Sequence, residues 1–205
     1  MGNNSYQRVA NPLLIVLSGA AGSGKDSVLR RMKERGVPFH FVVTATSRPP
    51  RAGEVDGRDY IFLSEAAFQS MIAKNELLEH AMVYNQYKGV PKQQVRDAMA
   101  SGRDVVMRVD VQGAATIRRQ CPEAVLIFLT AGSEAELAGR LAARRTDTAE
   151  QIALRIATAC EEMRRIPEFD YVVVNADGHL DDAVDNILAI LHAEHTRSNP
   201  RKAVL

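Results

Sequence analysis

Nine consecutive residues, Gly19 to Ser27 (GAAGSGKDS), have the types and spacing needed to hold a polyphosphate. Gly19, Gly22 and Gly24 let backbone N–H groups converge on an anion without a Cβ in the way. Lys25 adds a mobile cation for terminal phosphates, and Ala20, Ala21 and Ser23 complete the loop. The pattern G-x-x-x-x-G-K-[ST] calls for a hydroxyl after the lysine, to meet the Mg²⁺ that travels with ATP. That place belongs to Asp26, with Ser27 one step later. A carboxylate can hold such an ion directly or through water. The competing reading is a glycine-rich β–α turn with no ligand.

Other charged residues look placed for the same chemistry. Arg48 and Arg51 stand three apart with two prolines between them. A guanidinium grips phosphate through two parallel hydrogen bonds, so the pair suits one phosphate group; a solvated basic loop is the plainer alternative. Arg140, Arg144, Arg145 and Arg155 flank an apparent loop between two helices. Arginines on a closing lid can neutralise a transferring phosphoryl group, although any one of them can instead pair with Glu136, Glu150 or Glu162. Asp110 ends an apolar strand, where it can help position a metal, cap the next helix, or do both. Glu79 sits in LLEHAMV, facing either a pocket or the polar side of an edge strand. The five histidines show no ligand spacing.

These residues need a frame. Residues 13–17 form an apolar run leading into the loop, and the segment after it reads as a helix that ends near Gly36, Val37 and Pro38. Strand, glycine loop, helix is the setting a phosphate site requires, because the helix points its positive end at the anion. Residues 39–45 read as a second strand, 46–60 as a long loop, and 77–84 with 87–88 as short strands. Pro91 opens a helix and Gly102 closes it. Strands follow at 104–109, 124–129 and 170–174, with helices at 111–120 and 180–194 between and after them. Ser133-x-x-Glu136 and Thr148-x-x-Gln151 read as capping boxes. The tail from His195 is expected to fray. Strands alternating with helices predict a parallel sheet with helices on both faces, a three-layer α/β/α sandwich whose ligands sit at the carboxyl ends of the strands.

Bulk properties narrow the partners. The 205 residues carry a net charge of +1 and are 46% hydrophobic, which suits one globular core and gives no global pull toward nucleic acid or membrane. No apolar run reaches membrane-spanning length, and no export signal opens the chain. Cys121 and Cys160 have no metal spacing and read as small apolar residues in a reducing compartment, so the expected location is the cytoplasm. The chain is expected to be a monomer or a homodimer.

Taken together, GAAGSGKDS, TATSRPPRAGEVDGRDY, ELLEHAMVYNQYKGVP, GRDVVMRVDVQGAATIRR, RLAARRTDTAEQIALRIATA and FDYVVVN resemble the guanylate kinase family from about Leu13 to Leu191. The resemblance implies a P-loop nucleoside monophosphate kinase fold: a core (12–40, 92–133 and 161–195), an inserted mixed α/β unit that holds GMP (41–91), and a helical lid (134–160). It implies transfer of phosphate from ATP, with Mg²⁺, to GMP and also dGMP. In that scheme Lys25 and the loop from Gly19 to Ser27 (Gly19, Ala20, Ala21, Gly22, Ser23, Gly24, Asp26 and Ser27 with the lysine) bind ATP, with Asn175 near the adenine. Arg48, Arg51, Tyr60 and Tyr87 bind the GMP phosphate, and Thr44, Glu79 and Asp110 read the guanine edge. Arg140, Arg144 and Arg155 are the lid arginines.

The sequence departs from the family pattern at several places. Ala20 and Ala21 replace Pro-Ser, Asp26 replaces the hydroxyl, and Arg108 replaces an acidic residue two before Asp110. Val90 stands where a small hydroxyl residue is usual. The two charge changes suggest that Asp26 and Arg108 pair. Two other readings remain open at this level: a kinase of the ribose 1,5-bisphosphate type, which shares the GKDS loop, and a guanylate-kinase-like interaction module without catalysis.

Overall fold

The computed structural model describes residues 11–51, 53–83, 86–143 and 149–205. Five strands form a parallel sheet: β1 (Leu14–Gly19), β2 (His40–Phe41), β7 (Val105–Arg108), β8 (Val125–Thr130) and β9 (Tyr171–Val174), in the order β2-β7-β1-β8-β9. Every residue of β1 is buried, as expected for a central strand covered on both faces. Leu13, Ile15 and Leu17 pack with Val28 and Met32 of α1 (Lys25–Glu34) and with Val184, Ile187 and Leu191 of α7 (Leu180–His195). Leu14 and Val16 point the other way, toward Val95 of α3 (Lys92–Ala100) and Ile117 of α4 (Val111–Gln120). The strand's period of two therefore builds the three layers directly.

A second, mixed sheet has the order β4-β3-β6-β5. It comprises β3 (Ala45–Thr46), β4 (Ile61–Phe62), β5 (Leu77–Val83) and β6 (Gln86–Pro91). Helix α2 (Glu65–Ala73) covers it through Phe68, and Ser64 caps that helix by accepting from the Ala67 N–H at 3.1 Å. The apolar run 39–45, expected as one strand, is divided between the two sheets. Val42 N–H still reaches Val106 O, but Val43 N–H is taken by the Gln94 side chain at 2.6 Å, and the chain then crosses to pair with β6.

After β8, α5 (Glu134–Ala142) and α6 (Ala149–Met163) stand beside the sheet's carboxyl end. Ser133 caps α5 through the Glu136 N–H, while the Glu136 carboxylate accepts from Gly132. The second expected capping box begins at Thr148, outside the described residues. A 3-10 turn, Ile166–Glu168, leads into β9.

Two expectations are corrected. The tail does not fray: Arg201 donates to both oxygens of Glu194, which is 1% exposed, and Ala203 and Leu205 pack against the α3–α4 side of the core. Tyr171 O–H donates to the same carboxylate at 2.6 Å. Cys121 is buried as expected, but Cys160 is exposed. Among the described residues no helix is long and apolar enough to cross a membrane.

Candidate active site

The glycine loop closes over the start of α1. Gly24 has φ +89°, and a Cβ there would lie 2.3 Å from Asn175 Nδ2, so a side chain is excluded by conformation and by space. Gly22 has φ +85°, and a Cβ there would lie 3.2 Å from the side chains of Leu137 and Leu141 on α5. Asn175, 5% exposed at the end of β9, donates to Ser23 O at 2.9 Å and ties the loop to the sheet. Lys25 Nζ folds back onto Gly19 O (2.6 Å) and Ala20 O (3.0 Å). Ala21 N–H donates to the Glu162 carboxylate of α6 at 2.9 Å, an anion already held by the loop. The Ser23 hydroxyl is buried without a partner among the described residues. Such orphaned polar atoms are uncommon and suit a ligand-binding loop.

In front of the loop lies a cavity of about 350 Å³, in which Lys25 and Asp26 meet Thr44, Tyr60, Glu79, Lys88, Arg108 and Asp110. It joins the carboxyl end of the parallel sheet to the inner face of the mixed one. Glu79 is 8% exposed; its pKa is pushed up to about 7, by burial first and by the neighbouring Asp110 charge second. Gly113 makes room for it, because a Cβ there would stand 3.0 Å from Glu79 Cγ. Asp110 lines the cavity and also caps α4 through the Gly113 N–H at 2.7 Å, so both roles read for it in the sequence are compatible.

Arg48, 6% exposed, lies over the Tyr60 ring with its guanidinium carbon 4.7 Å from the centroid. Its Nη1 and Nη2 each reach one oxygen of Glu54 at 2.6 Å. The Arg48 guanidinium and the Arg51 backbone N–H hold the Glu54 carboxyl at a pKa of about 2. The Arg51 side chain is exposed.

A second pocket, about 250 Å³, lies behind the loop between Gly24, Ser27, Arg140, Asn175, Asp177 and Leu180. Arg140 donates to Asn175 O and to Asp177, and its Nη1 is buried without a partner among the described residues, 3.9 Å from where a Gly24 Cβ would be.

A sequence model of the family described as guanylate kinase matches residues 11–194. The chain belongs to the guanylate kinase family. Guanylate kinase 2, chloroplastic/mitochondrial, of Oryza sativa subsp. japonica is 51% identical over 191 residues, covering 93% of this chain and 67% of that protein. Guanylate kinase of Halalkalibacterium halodurans is 45% identical over 185 residues, 90% of each chain. The crystal structure of guanylate kinase from Anaplasma phagocytophilum superposes with a TM-score of 0.74 at 27% identity, covering 95% of this chain and 91% of that one.

Against the family pattern, Lys25, Asp26, Thr44, Tyr60, Glu79 and Asp110 share the front cavity, and Arg48 stacks on its Tyr60 wall. Gly24, Ser27, Asn175 and Arg140 line the rear pocket. Gly22, expected among the ATP contacts, lines neither pocket. It sits at the close approach of the loop to α5, where a Cβ would crowd Leu137 and Leu141. Arg155 lies on α6, half-buried, and lines neither; Arg144 is outside the described residues. Tyr87 is corrected. Its ring stacks on Phe68 at 5.2 Å and 15°, in the cluster on the opposite face of the mixed sheet. In the β5–β6 register Glu79 faces Val90 and Ala81 faces Lys88, so the cavity side of β6 carries Lys88 and Val90. A one-residue step on a strand reverses the face, and the tyrosine drew attention away from its neighbour. Arg108 is ion-paired with Asp26, as the two sequence departures suggested. Glu54 and Glu162 are the other residues that sequence reading left without a role at the site. Glu54 carried a local signal, lying within six residues of Arg48 in the same loop. Glu162 carried none.

Proposed function

We propose that this guanylate kinase family member transfers the γ-phosphoryl group of ATP to GMP, and to dGMP, giving ADP and the nucleoside diphosphate. The observation that supports it best is one shared cavity, with a phosphate-loop lysine at one end and two carboxylates, the buried Glu79 and the exposed Asp110, at the other. An ionised Glu79 can accept from guanine N1–H and its exocyclic amine. Adenine, lacking the N1–H donor, would leave that carboxylate buried and unpaired.

The nucleophile is a phosphate oxygen of GMP, already anionic near neutral pH, so no general base is required. It attacks the γ-phosphorus in line, the bond to the β–γ bridging oxygen breaks, and the electron pair leaves with ADP. The difficulty is to bring two polyanions together. Lys25, the loop amides and Arg140 hold the donor, with Asn175 beside its base; Arg48 and Arg51, with Tyr60, hold the acceptor phosphate, and Thr44 lies at the guanine edge. Arg144 and Arg155 are the lid arginines in this reading. Catalysis is then mainly alignment and charge neutralisation.

Mg²⁺ fits this donor set as an ion carried in by ATP. Asp26 is 74% exposed at the start of α1, and the described residues contain no cluster of three His, Cys, Asp or Glu able to cage a metal. A carboxylate with substrate phosphates is the usual environment of this ion, which when bound would neutralise charge on the transferring group. Two free thiols, Cys121 and Cys160, suit a cytoplasmic enzyme.

An ADP-release assay with GMP, dGMP, AMP and ribose 1,5-bisphosphate tests the reading. Turnover with the guanine nucleotides alone is the expected result. Turnover with the ribose bisphosphate, or ATP binding without turnover of any acceptor, would replace it.

A further inference from the structure

Lys88 is a half-buried cation on the cavity face of β6, and the chemistry described so far gives it no task. Its register partner Ala81 brings nothing polar to it. The charges that act on it come from two places: Arg48 and Arg51 on the arginine loop, and Asp110 at the start of α4. Burial and the two guanidinium groups hold its ammonium below the ordinary lysine range, and Asp110 only partly opposes them. Arg48 has spent its outer edge on Glu54, whereas no described residue forms an ion pair with Lys88. A half-buried cation beside two others costs stability unless an anion joins them. Alternation along β5 and β6 puts Lys88 two residues from Val90, on the same face as the Glu79–Val90 pair. It thus stands between the carboxylate proposed to read the base and the arginine loop.

We propose that Lys88 binds the phosphate group of the acceptor nucleotide opposite Arg48, so that this lysine helps the site distinguish a nucleoside monophosphate from a nucleoside. The inference rests on the reading of the acceptor as GMP. It assigns to a lysine the task that the family resemblance gave to Tyr87.

The test compares GMP with guanosine, which share the base and ribose but not the phosphate. Calorimetric titration of the full-length wild type, Lys88→Met and Lys88→Arg measures both ligands at one salt concentration. A lost charge-assisted contact predicts GMP binding about ten- to a hundredfold weaker in Lys88→Met, with guanosine binding unchanged within twofold. Lys88→Arg should keep most of the GMP affinity. In steady state the Lys88→Met KM for GMP should rise while that for ATP holds. Because a repulsive cation is removed, the unliganded Lys88→Met protein should melt no lower than wild type, which separates the effect from misfolding. Equal weakening of GMP and guanosine, or no change in either, would overturn the assignment while leaving the reaction intact. If the wild type bound GMP no better than AMP, the acceptor reading itself would fall and take this inference with it.

Discussion

The Arg108 guanidinium, at the last residue of β7, is ion-paired with the Asp26 carboxylate in the first turn of α1. The family pattern puts a hydroxyl on the loop and a carboxylate on the strand. This chain has a carboxylate on the loop and an arginine on the strand, so the two charges cancel at the junction. Burial pulls the Arg108 pKa down, but a guanidinium stays charged throughout the working range. Arg108→Asp alone would set two carboxylates beside the bound phosphates. It should therefore lower kcat/KM for ATP more than the double variant with Asp26→Ser does. The expected coupling is on the order of 1–2 kcal/mol in a double-mutant cycle. Simple additivity would show that the two residues act independently.

Glu79 titrates at about 7, against 4.5 for an ordinary glutamate. Below pH 4.5 the carboxyl is protonated in folded and unfolded chains alike. As pH rises through 7 the folded chain must ionise a buried group, so the stability contributed by the neutral form is lost. Glu79→Gln should thus be more stable than wild type at pH 8, on the order of 3 kcal/mol, and alike near pH 4. Binding runs the other way, because guanine needs the ionised acceptor. Guanosine, whose lack of a phosphate removes a second titration, should bind about tenfold more weakly at pH 6 than at pH 8. A flat profile over that range would mean that Glu79 is not the group reading the base.

Glu54 fixes Arg48 by taking both terminal nitrogens, and it also accepts from the Arg51 N–H. Its depressed pKa of about 2 means that this clamp is complete above pH 4.5 and is lost only as pH falls toward 2. Within the working range it acts as a constant brace. Glu54→Gln should raise the KM for GMP severalfold and leave that for ATP alone, since a loosened arginine loses the pre-organisation that phosphate binding uses. A fall in the GMP KM would instead identify Glu54 as a competitor for the phosphate position.

How much of this was legible in the sequence depended on whether the signal was local. The glycine loop, β1 and α4 were readable because apolar runs, caps and glycines lie within a few residues of each other. What Gly22 packs against was not, because Leu137 and Leu141 come from a helix more than a hundred residues further on. Nor was the division of 39–45 between two sheets, since Gln94 ends the first pairing from 51 residues away. The tail misled for a similar reason. Its few apolar residues gain a place only because Arg201 meets a buried Glu194 at the end of α7. At the site, residue types pointed to Arg48, Glu79 and Asp110, but the choice between Tyr87 and Lys88 turned on strand register. Two-residue strands such as β3 and β4 leave too little pattern to fix it.

Glu162 accepts from Ala21 N–H across 141 residues and joins the last turn of α6 to the loop proposed to bind ATP. That places a carboxylate on a backbone donor whose neighbours are proposed to face phosphate. Removing it should release the loop amide and loosen the connection between α6 and the loop, without touching the acceptor cavity. Glu162→Ala is therefore expected to change the KM for ATP severalfold and to leave guanosine binding as it was. Amide hydrogen exchange at Ala21 should speed up, because its partner has gone. Glu162→Gln, which keeps an oxygen acceptor, should recover most of the protection. If Ala21 exchanges equally fast in all three proteins, α6 does not hold the loop.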